Sequence, residues 1–99
     1  MITIVQTKFF RHWLSKVKDY RVKALVINRI RSAELGNFAD SKSIGEGVSE
    51  MRIHFGPGYR VYFTRVGETI NFLLCGEIKK DQQRDIRKAK ILAQELKES

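Results

Sequence analysis

The residues best suited to chemistry stand close together. From Glu50 the chain runs Glu50-Met51-Arg52-Ile53-His54-Phe55-Gly56-Pro57-Gly58-Tyr59-Arg60-Val61-Tyr62-Phe63-Thr64-Arg65. Two arginines, a histidine, a tyrosine and a glutamate at alternating positions suit work on a phosphodiester. Metal-free RNA cleavage makes three demands. The 2′-hydroxyl loses a proton, the charge of the pentavalent phosphate is offset, and the departing 5′-oxygen gains a proton. A guanidinium grips phosphate oxygens with two charge-assisted hydrogen bonds. Arg52 and Arg60 therefore fit the second task, commonly the largest catalytic contribution. His54 carries an imidazole, which titrates near neutrality, and fits either proton transfer. Lys79 is placed to hold the phosphate or the leaving oxygen. Tyr62 can hydrogen-bond a phosphate or stack on an unpaired base, and Lys80 and Arg84 extend the cationic set along a substrate. The competing reading pairs Arg52 and Arg60 with Glu50 across neighbouring strands, a contact worth about 0.2–1 kcal/mol. Glu50 itself reads as an orienter of Arg52 rather than a base.

These side chains need a scaffold, and the pattern around them supplies one. Gly56-Pro57-Gly58 is turn chemistry between two alternating runs, which predicts a β-hairpin. Successive side chains of a strand point to opposite faces. Met51, Ile53 and Phe55 then share one face with Tyr59, Val61 and Phe63. Glu50, Arg52, His54, Arg60 and Tyr62 share the other. Ahead of the hairpin, Ile2 to Val5 is a short β-branched strand, and Thr7 offers a helix N-cap. Phe10, Trp13, Leu14 and Val17 follow at helical spacing, with Lys8, Arg11, His12 and Lys16 off that stripe. His12 has no partner at a readable spacing and reads as a helix-surface residue. Asp19 and Tyr20 mark a break. Val22, Leu25, Val26, Ile30 and Ala33 form a second helical stripe ending before Gly36, so the two helices read as an antiparallel hairpin.

Gly36 to Gly47 reads as a surface loop. After the hairpin, Gly67-Glu68 makes a turn and Thr69 to Gly76 is an apolar strand of the kind buried on both faces. Asp81 is a plausible N-cap for a last helix, with Ile86, Ala89, Ala93 and Leu96 as its buried stripe. The predicted order is β-α-α-β-β-β-α. That is an α+β domain, an antiparallel meander with an N-terminal α-hairpin and a C-terminal helix.

Length and charge bound the function. With 99 residues the chain holds one core and one domain, 1–99. A net charge of +8, from 19 Lys+Arg against 11 Asp+Glu, points to an anionic partner. The competing reading is a basic surface kept for solubility. The charge is clustered. Lys8 to Arg31 holds eight basic residues and one acid, and Lys79 to Lys90 holds six and two. One cysteine, Cys75, excludes an internal disulfide and a cysteine-rich zinc site. Two histidines without an acid cluster make no recognisable metal site, so neither metal nor cofactor is expected. No apolar run reaches the roughly 20 residues of a membrane span, and the start lacks the basic stretch of a secretory signal. A cytoplasmic protein without membrane partners is the expectation.

The hairpin, followed by Leu73-Leu74-Cys75-Gly76, Lys79, Asp85-Ile86 and Lys88-Ala89, resembles the RelE/ParE superfamily of toxins from type II toxin–antitoxin modules. It is most similar to the HigB-like or phage-derived addiction module killer protein branch. The likeness extends over essentially the whole chain. It departs after the apolar strand, where the family's Gly-Gly-Asp-Lys stands here as Gly76-Glu77-Ile78-Lys79. The resemblance implies a growth-arresting toxin, cytoplasmic, held by an antitoxin of helix-turn-helix type. Many such relatives are ribosome-dependent endoribonucleases that cut messenger RNA. ParE-like relatives instead inhibit DNA gyrase, and an inactive antitoxin-binding remnant is a third possibility.

Overall fold

A computed structural model describes residues 2–38, 40–78 and 80–98. The elements are β1 (Thr3–Gln6), α1 (Lys8–Lys16), α2 (Tyr20–Glu34), β2 (Ser41–Gly45), β3 (Val48–Ile53), β4 (Tyr59–Val66), β5 (Thr69–Glu77) and α3 (Gln82–Glu98). The α+β class is as expected, with the helical pair before the meander and one helix after it. One reading is corrected. Ser41–Gly45, within the stretch read as a loop, is a strand, so the meander has four strands.

The sheet order is β1-β5-β4-β3-β2. Strands β2 to β5 are antiparallel neighbours, and β1 adds to the far edge parallel to β5. The caps follow the sequence. Thr7 accepts a hydrogen bond from Phe10 N at the start of α1, Asp19 from Arg21 N at the start of α2, and Asp81 from Arg84 N at the start of α3. Each side chain satisfies a backbone donor that the first helical turn leaves unpaired. Between β2 and β3, Glu46 and Gly47 both have positive φ (54° and 77°), the conformation of the tight hairpin turn that matches strand twist.

Helices cover both faces. On one face, Phe10 of α1 and Val22, Val26 and Ala33 of α2 pack on Met51, Ile53, Val61, Phe63, Ile70, Phe72 and Cys75. On the other, Ala89, Leu92 and Ala93 of α3 pack on Val48, Tyr62, Leu73 and Leu74. Full burial of one large apolar side chain contributes about 1.5–3 kcal/mol, so these two layers carry most of the stability. Phe9 joins the α3 cluster while Phe10 joins the α1/α2 cluster. Helix α1 therefore straddles the sheet beside β5.

A register shift between Tyr62 and Phe63 explains the unbroken apolar run of β5. Tyr62 pairs with Leu74 and Phe63 with Phe72, leaving Leu73 as an extra residue. Such a bulge interrupts the two-residue alternation. Leu73 and Leu74 both serve the α3 side, and Phe72 and Cys75 both serve the α1/α2 side.

Candidate functional site

The hairpin face bearing Glu50, Arg52, Arg60 and Tyr62 is as read from alternation, but α3 lies over part of it. Glu50 is fully buried (0% exposed). Three cations meet its carboxylate. Arg52 Nε is 3.3 Å from Oε1, Lys42 Nζ 3.6 Å from Oε1 and Arg60 Nε 3.4 Å from Oε2. Register dictates this arrangement. Arg52 stands directly opposite Arg60, and Lys42, Glu50, Tyr62 and Leu74 form the adjacent row across β2, β3, β4 and β5. Two like charges face to face repel, and the carboxylate two residues back along β3 lies within ion-pair distance of both and offsets part of that repulsion. Glu50 is thus the orienter that the sequence suggested, and Arg60 as well as Arg52 is held by it.

Arg60 is largely enclosed and donates from Nη1 to Ile78 O at 3.1 Å. Its Nε and Glu50 Oε2 are within ion-pair distance without hydrogen-bond geometry, so both atoms are buried and unsatisfied. Tyr62 is only 1% exposed. Burial first, then Glu50, pushes its phenol up to about 12. As the chain is folded, Tyr62 has no open face on which a base could stack, because it fills the core beneath α3. His54 points elsewhere. Its Nε2 lies 2.7 Å from Asp40 Oδ2 on the exposed surface, and Asp40 takes the left-handed conformation (φ 58°). Lys79 lies outside the described residues.

The open concave surface lies instead between α1 and α3. A groove of about 710 Å³ is lined by Lys8, Phe9, His12, Trp13 and Lys16 from α1, Leu74 and Cys75 from β5, and Arg84, Asp85 and Lys88 from α3. A cleft of about 400 Å³ adjoins it, sharing Trp13, Cys75, Arg84 and Asp85 and adding Gly76, Glu77, Lys80 and Asp81. Of the residues expected to bind substrate, Arg84 lines both and Lys80 the cleft. Arg52, His54, Arg60 and Tyr62 line neither.

Helical spacing builds this groove. Lys8, His12 and Lys16 recur every four residues on α1, as do Phe9 and Trp13, while Arg84 and Lys88 stand four apart on α3; four-residue neighbours share a helix face. Lys8 and Lys88 sit over the Phe9 ring, 5.3 and 4.2 Å from its centroid. That contact ties the two walls through cation–π attraction. The four-residue spacing is visible in the sequence, but the apolar stripe of each helix, which marks its buried face, is the stronger pattern.

Two groups of the groove hold their protons more tightly than usual. Burial first, then Asp85, raises the Cys75 thiol well above its usual range, which makes it a poor nucleophile. Burial raises the Asp85 carboxyl too. Asp81 adds to that rise, while Arg84, Lys88 and Arg60 oppose it. The Asp85 carboxylate lies against Gly76, where a methyl group would overlap it. No set of three or more potential metal ligands occurs among the described residues. No helix there is long and apolar enough to cross a membrane.

No protein-family model matches the sequence. A solution structure of a conserved hypothetical protein from Helicobacter pylori is similar in fold, with TM-score 0.51 and 20% identity, covering 79% of this chain and 96% of that one. An uncharacterized protein of Haemophilus influenzae is 47% identical over 95 residues, 96% of each chain. At that identity over nearly the full length of both, the chain belongs to the same family as the Haemophilus influenzae protein.

Proposed function

We propose that the protein is the toxin of a type II toxin–antitoxin module, a metal-independent, ribosome-dependent endoribonuclease that cuts messenger RNA and arrests growth. One observation carries this reading. The groove between α1 and α3 sets the aromatic side chains Phe9 and Trp13 among the cations Lys8, Lys16, Arg84 and Lys88. Single-stranded RNA is gripped in this way, with bases stacked on aromatics and phosphates held by cations. The net charge of +8 adds long-range attraction to a ribosomal polyanion. The RelE/ParE-like pattern of the hairpin and last helix agrees with the reading, and an antitoxin of helix-turn-helix type is the cognate partner.

In this assignment the groove binds the message. Arg52 and Arg60 act chiefly through Glu50, as a charged layer that fixes the sheet beneath α3. The test is induced expression in a bacterial host, with sequencing of the RNA ends. Growth arrest is expected, with new ends inside translated messages and neither effect in a Lys16→Glu, Arg84→Glu, Lys88→Glu triple variant that keeps the wild-type melting curve. Intact messages during arrest, together with inhibited DNA supercoiling, would replace the nuclease by a gyrase-directed toxin.

A further inference from the structure

A groove that attracts a polyanion gains nothing from a carboxylate, which repels phosphate. Asp85 nonetheless lines the groove and the adjoining cleft, its carboxylate lying where a methyl group on Gly76 would overlap it. Across from it, on α1, His12 lines the same groove. His54, the histidine of the hairpin, is engaged with Asp40 and lines neither space. An imidazole, a carboxyl, cations and aromatics therefore line one groove, the group types that RNA cleavage without a metal uses.

We propose that His12 and Asp85 are the proton-transfer pair of this groove, His12 as the base and Asp85 as the acid. The proposal rests on the RNA-cleavage reading above. His12 takes the proton of the 2′-hydroxyl on a ring nitrogen. The 2′-oxygen forms a bond to phosphorus, and the bond from phosphorus to the 5′-oxygen breaks with its electron pair on that oxygen. The protonated carboxyl of Asp85 supplies the proton that the 5′-oxygen needs. The products are a 2′,3′-cyclic phosphate and a 5′-hydroxyl, and the enzyme is left with an imidazolium and a carboxylate that exchange protons with water. Lys88 and Arg84 face the phosphate during the transfer, and Trp13 offers a stacking surface for a base. Desolvation raises the Asp85 carboxyl, the direction a proton donor requires. Arg84, Lys88 and Arg60 oppose that rise and Asp81 adds to it. Glu77 and Cys75 flank the same space from β5.

The experiment follows cleavage of a short synthetic message on programmed ribosomes by the wild type, Asp85→Asn and His12→Gln, each shown to fold by its melting curve, with Asp85→Ser in reserve. Each variant is expected to lose about 10²–10⁴ in cleavage rate, with unchanged affinity for a single-stranded RNA oligonucleotide. A second substrate carries sulfur in place of the scissile 5′-oxygen. Sulfur leaves without a proton, so this substrate is expected to rescue Asp85→Asn and not His12→Gln. If the wild type cleaves and the variants cleave the oxygen substrate equally fast, the pair is wrong and the nuclease reading stands. If Asp85→Asn loses affinity or moves the cut positions instead of slowing the cut, Asp85 contacts a base and is not the acid. A wild type that cuts nothing overturns both readings.

Discussion

The substitution Glu50→Gln tests the charged layer directly. It keeps the shape of the side chain and removes the charge at a position with no exposure. Three cations surround it, but they differ in what they lose. The side chain of Lys42 is 61% exposed and that of Arg52 35%, so water takes over much of their solvation. The Arg60 side chain is 11% exposed and stays enclosed. Removing one partner of a buried pair costs about 3–5 kcal/mol. Arg60 keeps its hydrogen bond to Ile78 O, which argues for the lower end, about 3 kcal/mol. In a domain of this size each kcal/mol moves Tm by about 4–8 °C, so a fall of about 12–24 °C is expected in calorimetry. The paired replacement Glu50→Leu with Arg60→Met removes both charges and is expected to recover most of the loss, since apolar replacement of a buried pair is often neutral or stabilising. A Glu50→Gln protein within about 3 °C of wild type, under one kcal/mol on the same scale, would refute the claim that Glu50 holds Arg60.

Four further outcomes are expected. Gly76→Ala forces its methyl onto the Asp85 carboxylate and should cost about 1–3 kcal/mol in denaturant unfolding, with most of it recovered when Asp85→Ala is added. Asp85→Asn should be more stable than wild type at pH 7 and equal to it in acid. A carboxyl raised on folding makes the folded state hold its proton more tightly. Its stability is therefore lost as pH rises from the ordinary aspartate range, about 4, through the folded value. Melting curves across pH decide this, and an advantage that grows in acid would contradict it. Lys88→Ala should weaken RNA binding and lower the slope of log affinity against log salt by about 0.7, the value for one phosphate contact on a single strand; an unchanged slope removes Lys88 from the interface. Cys75 lines the groove but is largely buried, with a raised thiol, and should react with a thiol reagent far more slowly in the native chain than in the unfolded one; equal rates would contradict that burial.

The hairpin and its faces were legible because alternation and Gly-Pro-Gly are local signals. What covers a face is not local. The same alternation that grouped Tyr62 with Arg52 gives no hint that Ala89 and Ala93, about thirty residues later, seal Tyr62 beneath α3. Glu50 follows the same logic. A glutamate is seldom fully buried unless paired, and its pairing partners come from three strands. Strand β2 is not legible in the sequence, because Ser41-Lys42-Ser43-Ile44-Gly45 has loop composition. An edge strand gains its order from the ladder with β3 rather than from burial of its own side chains. Asp40 and His54 meet across fourteen positions of sequence through that same ladder, so neither could be read from spacing. The groove was readable in part, since Lys8, His12 and Lys16 share one face of α1. Only the fold sets that face toward α3.

Helix α3 couples the two halves of the molecule. Its apolar stripe, Ala89, Leu92 and Ala93, seals the sheet over Tyr62 and Val48, while Arg84, Asp85 and Lys88 form one wall of the groove. Its far end is also anchored, with Lys97 Nζ donating to Glu46 O at 3.4 Å in the β2–β3 turn. Close-packed layers transmit displacement rather than absorb it. A larger residue at Ala89 would lift the helix from Tyr62 and move Asp85 relative to His12, and groups meant to act in one proton transfer tolerate little misplacement. Packing defects along α3 should therefore depress activity more steeply than stability, whereas equal defects among Val22, Val26 and Ala33, on a helix that does not line the groove, should fall mainly on stability.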